Sequence, residues 1–201
     1  MMQAPRMVML AALLMSGAVR PASPCGFDGP LGNNFSAMHP KSIGVALAVR
    51  DVIVAGVIEP ATDPAVAGRA GYWRAVGHLT ALQQALSSAR AERPIPISVL
   101  FIDSGLWARL TPAPTGFAME VHTDGAKDGD VVVVTSEPVL TAILDKRLPV
   151  AEALERGVIA VDGDAAESMR RLIAEALDAQ PHPVASGGEP RAIRMFGPLP
   201  R

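Results

Sequence analysis

The segment "CGFDGPLGNNFSAMH" brings Cys25, Met38 and His39 close together along the chain. A thiolate, a thioether and an imidazole are the soft donors that suit copper or a haem iron. Their spacing matches no ligand signature, because the chain has one cysteine and no His-x-x-x-His pair. A buried thiol, a core methionine and a histidine at a helix start would account for the same residues. Both readings stay open, and a metal is the alternative one. Asp162 and Asp164 flank Gly163, but a turn at a strand end explains such acids, and the further oxygen ligands of a calcium loop are missing. There is no Gly-x-Ser-x-Gly elbow, and the lone cysteine has no fixed histidine partner. No catalytic residue is assigned and no cofactor is expected, which leaves binding as the chemistry to look for.

The elements that would position a binding site must fit in 201 residues, of which 49% are hydrophobic and 19% charged. That is enough for a real core and too apolar for a disordered chain. A formal charge of -2 supplies no basic field for a phosphate backbone, so nucleic acid is excluded as a partner.

At the amino terminus, Arg6 precedes an unbroken apolar stretch from Met7 to Met15, followed by the small residues Ser16 and Ala18. The stretch is shorter than the ~20 residues that span a bilayer. It reads as a signal peptide over residues 1–18, with an exported, periplasmic destination and no transmembrane span. Pro24 stands where a lipid-attachment motif would carry a small residue before Cys25. With one cysteine there is no internal disulfide, and the fold must rest on its apolar core.

Residues 25–96 read as a turn-rich loop and two helices. Val45, Val49, Val52 and Ile53 fall on one helical face that closes at Gly56 or Pro60, although the run "VIVAGVI" would also suit a strand. Trp73, Val76, Leu79, Leu82 and Leu86 form the stripe of the second helix. From Ile97 the period changes. "ISVLF" is an apolar strand, and "LWARLT" and "FAMEV" form a hairpin across the loop "PAPTG". Pairing Leu110 with Phe117, Ala108 with Met119 and Leu106 with Val121 puts six apolar residues on one side and Trp107, Arg109, Glu120 and His122 on the other. "VVVVT" is a fourth strand, followed by a helix capped by Ser136 with Pro138 in its first turn, and a second proline-led helix closed by Gly157. "VIAVDGD" is a fifth strand and "AAESMRRLIAEALDA" an amphipathic helix. Residues 180–201, rich in Pro and Gly, read as a tail whose Met195–Phe196 pair could dock on another exported protein.

This order, most clearly "DVVVVTSEPVLTAIL", "LPVAEALERGVIAVDGD" and the final helix, resembles the sterol carrier protein type-two family over about residues 97–177. Pro149, Ala151, Ala153, Gly157, Val158, Ala160 and Gly163 stand at the family's places, whereas "DKR" at Asp145–Arg147 occupies a turn where the family prefers glycine. The resemblance implies an α+β fold, a five-stranded mainly antiparallel sheet covered by helices over residues 97–179, behind the helical amino-terminal portion. It also implies a non-enzymatic carrier of a small apolar, lipid-like ligand. The expected lining is Leu106, Leu110, Phe117, Met119 and Val121 on the sheet, roofed by Leu140, Ile143, Leu144, Leu154, Met169 and Ile173. The same side chains would also fill an ordinary close-packed core.

Overall fold

The computed structural model describes residues 38–60, 69–89 and 94–180. The expected signal peptide, Cys25, the loop that follows it, His182 and the tail from residue 181 lie outside the described residues.

The two amino-terminal helices are α1 (Ser42–Val54) and α2 (Arg69–Ser88). In α1, Val45, Val49 and Val52 are buried at helical spacing. The helix closes at Gly56, whose φ of 70° lets the Gly56 N–H reach Ile53 O and the Val57 N–H reach Val52 O. The stripe of α2 matches the expected one at Leu79, Leu82 and Leu86 and differs at its start. Ala75, Leu79, Leu82 and Leu86 are buried, whereas Trp73 is 59% exposed and Val76 only half-buried. Small Ala75, which a search for large apolar residues passes over, takes the inward position.

The sheet consists of β1 (Ile97–Phe101), β2 (Leu106–Ala113), β3 (Gly116–Val121), β4 (Val131–Thr135) and β5 (Ala160–Asp162), in the order β3-β2-β1-β4-β5. Only β1 and β4 run parallel. The helices α3 (Glu137–Leu144) and α4 (Val150–Glu155) connect β4 to β5, and α5 (Ala166–Asp178) follows. The fold is therefore α+β, with a mostly antiparallel sheet covered by helices.

The β2–β3 register differs from the expected one by two residues: Ala108 faces Val121, Leu110 faces Met119 and Pro112 faces Phe117. β2 continues through Pro112 and Ala113, so the turn shrinks to Pro114 and Thr115. A two-residue shift preserves the side on which each residue lies. The six apolar residues still share one face.

The opposite face is solvated at its edge, where Glu120 and His122 are exposed, whereas Trp107 and Arg109 are half-buried. β1 and β4 are buried at every position, which requires cover on both sides. α1 packs on β4, and the residues leading into it lie over Trp107, whose ring is edge-on to His39 at 6.5 Å. α2 packs on β3, α3 and α5, and α5 also packs on β5 and α4. β5 is shorter than "VIAVDGD" because the Val158 and Ile159 amides both turn back to Ala153 O, closing α4. No helix among the described residues is long and apolar enough to cross a membrane.

Candidate functional site

All five expected sheet residues share one face, by the pairing of β1, β2 and β3 and the alternation of strand side chains. Leu106, Leu110, Phe117, Leu140, Ile143, Met169 and Ile173 are buried in one apolar cluster, and Met119, Val121, Leu144 and Leu154 pack half-buried against it. The expected residues of the sheet and of α3, α4 and α5 thus pack in or against one apolar cluster.

A groove of about 350 Å³ opens at the edge of this cluster, lined by Ile143, Lys146, Leu148, Pro149, Val150, Asp178 and Gln180. Ile143 belongs to both the cluster and the groove. The other groove residues come from the α3–α4 turn and the end of α5, which sequence reasoning did not assign to a site. The available signal was the "DKR" turn. There Lys146 holds the left-handed position at φ 60°, its N–H bonding Ile143 O, while the Arg147 N–H reaches Ala142 O. A glycine would adopt that conformation without strain. The Lys146 side chain runs to the end of α5, where Nζ donates to Leu177 O at 2.6 Å and to Asp178 O at 3.3 Å. A cation on those terminal carbonyls complements the helix dipole.

A polar cluster lies at the start of α3. Ser136 is the N-cap residue, but its hydroxyl makes no capping bond and has no partner among the described residues. Asp103, just beyond β1, accepts the Glu137 N–H instead, at 3.3 and 3.2 Å to its two oxygens. The Asp103 carboxyl group is pushed up to about 6, chiefly by desolvation and further by Glu137, against hydrogen bonds from backbone amides and the Arg74 charge. The carboxyl is crowded even though the residue as a whole keeps exposed surface. Glu137 is also desolvated, which acts upward, but His78 and Arg74 outweigh this and hold it below its ordinary value. Arg74 Nε donates to Glu137 Oε1, and His78 Nδ1 lies 3.5 Å from the same oxygen. The Arg74–Glu137 pair ties α2 to α3.

Of the alternative metal residues, Cys25 lies outside the described residues, and Met38 and His39 are described. Met38 lies against Gly105, whose added Cβ would meet the Met38 Cε at 3.1 Å. His39 accepts the Lys41 N–H on Nδ1 at 3.2 Å, and its Nε2 faces Asp162 Oδ2 at 3.6 Å. Burial lowers its pKa, opposed by Asp162 and assisted by Lys41. Both ring nitrogens thus face protein groups. No group of three or more His, Cys, Asp or Glu side chains placed to hold a metal occurs among the described residues.

No protein-family profile matches the sequence, and no curated protein does. Among solved structures, the chain is similar over part of its length to sterol carrier protein 2, with 17% identity and a TM-score of 0.38 across 52% of this chain and 89% of that one. It is also similar to the ubiquinone synthesis protein UbiJ-SCP2, with 15% identity and a TM-score of 0.34 across 70% of this chain and 97% of that one. A third similarity is to the stereoselective inverting sec-alkylsulfatase Pisa1 from Pseudomonas sp., with 20% identity and a TM-score of 0.36 over 43% of this chain. The chain spans only 13% of that sulfatase. These likenesses cover part of the chain, and its α+β class stands on its own strand order and helices.

Proposed function

We propose that this protein is an exported, non-enzymatic carrier that holds a small apolar, lipid-like ligand between the sheet and α3, α4 and α5. One observation carries the reading: the groove of about 350 Å³ meets the apolar cluster at Ile143. A slender chain entering beside Leu148 and Val150 would meet Ile143 first and then the other roof and sheet residues. Apolar burial at ~25 cal/mol per Å² makes each buried methylene worth about 0.8 kcal/mol, so affinity needs no catalytic group. Export rests on the Arg-led apolar stretch from Met7 to Met15.

Native mass spectrometry of the protein purified from its natural compartment tests the carrier reading, with a retained amphiphile as the expected result. Displacement of a fluorescent alkyl probe, lost in Ile143→Asp but kept in Ile43→Asp on the outer side of α1, would place binding at the groove. Absence of any alkyl binding by the folded protein would remove the reading.

A further inference from the structure

The geometry points to Lys146 as the head-group residue of this site, which selects a single-chain amphiphile ending in a carboxylate. The inference rests on the apolar-ligand reading and adds the chemistry of the ligand's polar end. An ammonium has three protons. Two are committed to Leu177 O and Asp178 O, at 2.6 and 3.3 Å. The third is left for a ligand in the groove that Lys146 lines. The two carbonyl bonds also hold the ammonium in place, so less side-chain freedom is lost when a ligand binds. Half-buried Lys146 lays its stem along apolar surface and carries its charge at the rim.

The rest of the groove fits the remainder of such a molecule. Ile143, Leu148, Pro149 and Val150 supply the apolar wall. A volume of about 350 Å³ accommodates on the order of a dozen methylene-sized groups, at the ~30 Å³ that a water-sized group occupies. Other charges at the mouth narrow the choice of head. Asp178 lines the same groove with an exposed carboxylate, and nearby Arg147 is paired with Asp145 at 3.2 Å. One free donor beside one fixed negative charge suits a monoanion and disfavours a doubly charged phosphate.

The position of Lys146 provides the test. Its φ of 60° is one that glycine adopts freely, so Lys146→Gly removes the ammonium while keeping the turn. Lys146→Arg retains a cation. Isothermal titration of the full chain with decanoate, decanol and decyl phosphate below their micellar concentrations, at pH 7, reads the head-group preference. The wild type is expected to bind decanoate about tenfold more tightly than decanol, on the scale of one charge-assisted hydrogen bond, with decyl phosphate below decanoate. Lys146→Gly should bind decanoate and decanol equally, and Lys146→Arg should restore the preference. Equal affinities in the wild type, a preference that survives in Lys146→Gly, or tighter binding of decyl phosphate would overturn the inference while leaving an apolar site intact. If none of the three binds the folded wild type, the carrier reading falls as well.

Discussion

Asp130 receives the Arg109 guanidinium as a fork: Nε lies 2.9 Å from Oδ2 and Nη2 lies 2.8 Å from Oδ1. The Ser98 hydroxyl adds a bond of 2.7 Å and the Lys127 N–H one of 3.1 Å. Ser98 and Arg109 are paired across β1 and β2, and Asp130 immediately precedes β4. One carboxylate therefore ties together the three strands at the middle of the sheet, on the face opposite the apolar one. Replacing Asp130 by Ala leaves the Arg109 guanidinium and the buried Ser98 hydroxyl without their acceptor, and the variant is expected to unfold at lower denaturant concentration. The Arg109 hydrogen bonds, against opposing desolvation, hold Asp130 down at about 2. A lowered carboxylate pKa stabilises the fold above the ordinary value near ~4 and loses that contribution as pH falls toward the folded value. The stability gap between wild type and Asp130→Asn should therefore narrow from pH 4 to pH 2. A gap independent of pH would contradict the assignment.

Asp103 has the opposite sign. Its carboxyl group, pushed up to about 6, binds its proton more readily in the folded than in the unfolded chain. The stability linked to that proton is complete below about pH 4 and is lost as pH rises through 6. Asp103→Asn keeps an oxygen to accept the Glu137 N–H and removes the desolvated charge. The variant is expected to melt at a higher temperature than wild type at pH 7.5, with the two converging toward pH 4. Glu137, held below its ordinary value, contributes its own loss of stability in the acid range to both proteins, so the difference between them isolates Asp103. A lower melting temperature for Asp103→Asn at pH 7.5 would show that the capping bond outweighs the charge.

The polarity pattern made the side of each hairpin residue legible, because alternation alone assigns Leu106, Ala108, Leu110, Phe117, Met119 and Val121 to one face. It could not fix the register, since a shift by two residues leaves that assignment unchanged. The roles of Trp107 and Arg109 were not legible for a different reason. Trp107 meets His39, which precedes α1 and is far away in sequence, and the Arg109 partner, Asp130, sits in a loop with no periodicity. Ser136 looked like a cap from its position, whereas the acceptor is Asp103, brought there by the parallel pairing of β1 with β4. That the eleven expected apolar residues pack in or against one cluster was legible because apolar character reports burial. The groove was not, because it is made where the α3–α4 turn meets the end of α5.

Gly116 tests the docking of α2 on β3. It has φ 126°, and an added Cβ would lie 2.4 Å from the Ser87 Cβ. The closeness serves two hydrogen bonds to Phe117: its N–H donates to Ser87 Oγ at 3.0 Å, and its carbonyl accepts from Gln83 Nε2 at 2.5 Å. Gly116→Ala would strain the backbone and push α2 off the edge strand, with an expected cost of about 2–4 kcal/mol in urea unfolding. Measured against Ser87→Gly alone, which itself loses the Phe117 N–H bond, Gly116→Ala should cost less than it does in the wild type, because the opposing Cβ is gone while the strain in φ remains. An equal cost in both backgrounds would locate the whole effect in the backbone.

Lys146 separates backbone strain from the side-chain bond within one residue. The left-handed conformation costs a non-glycine residue ~1 kcal/mol, whereas a cation on the last carbonyls of a helix contributes ~0.3–1 kcal/mol. Lys146→Ala keeps the strain and loses the bond to Leu177, so it should be destabilised by up to about 1 kcal/mol. Lys146→Gly loses the same bond but relieves the strain, which brings it close to wild type and about 1 kcal/mol above the alanine variant. Denaturant midpoints at low and high salt would check both parts. Salt should shrink the difference between wild type and Lys146→Ala, which contains the charge, and leave the difference between Ala and Gly unchanged, because that one is steric. If Lys146→Gly is no more stable than Lys146→Ala, the turn does not hold position 146 in the left-handed conformation.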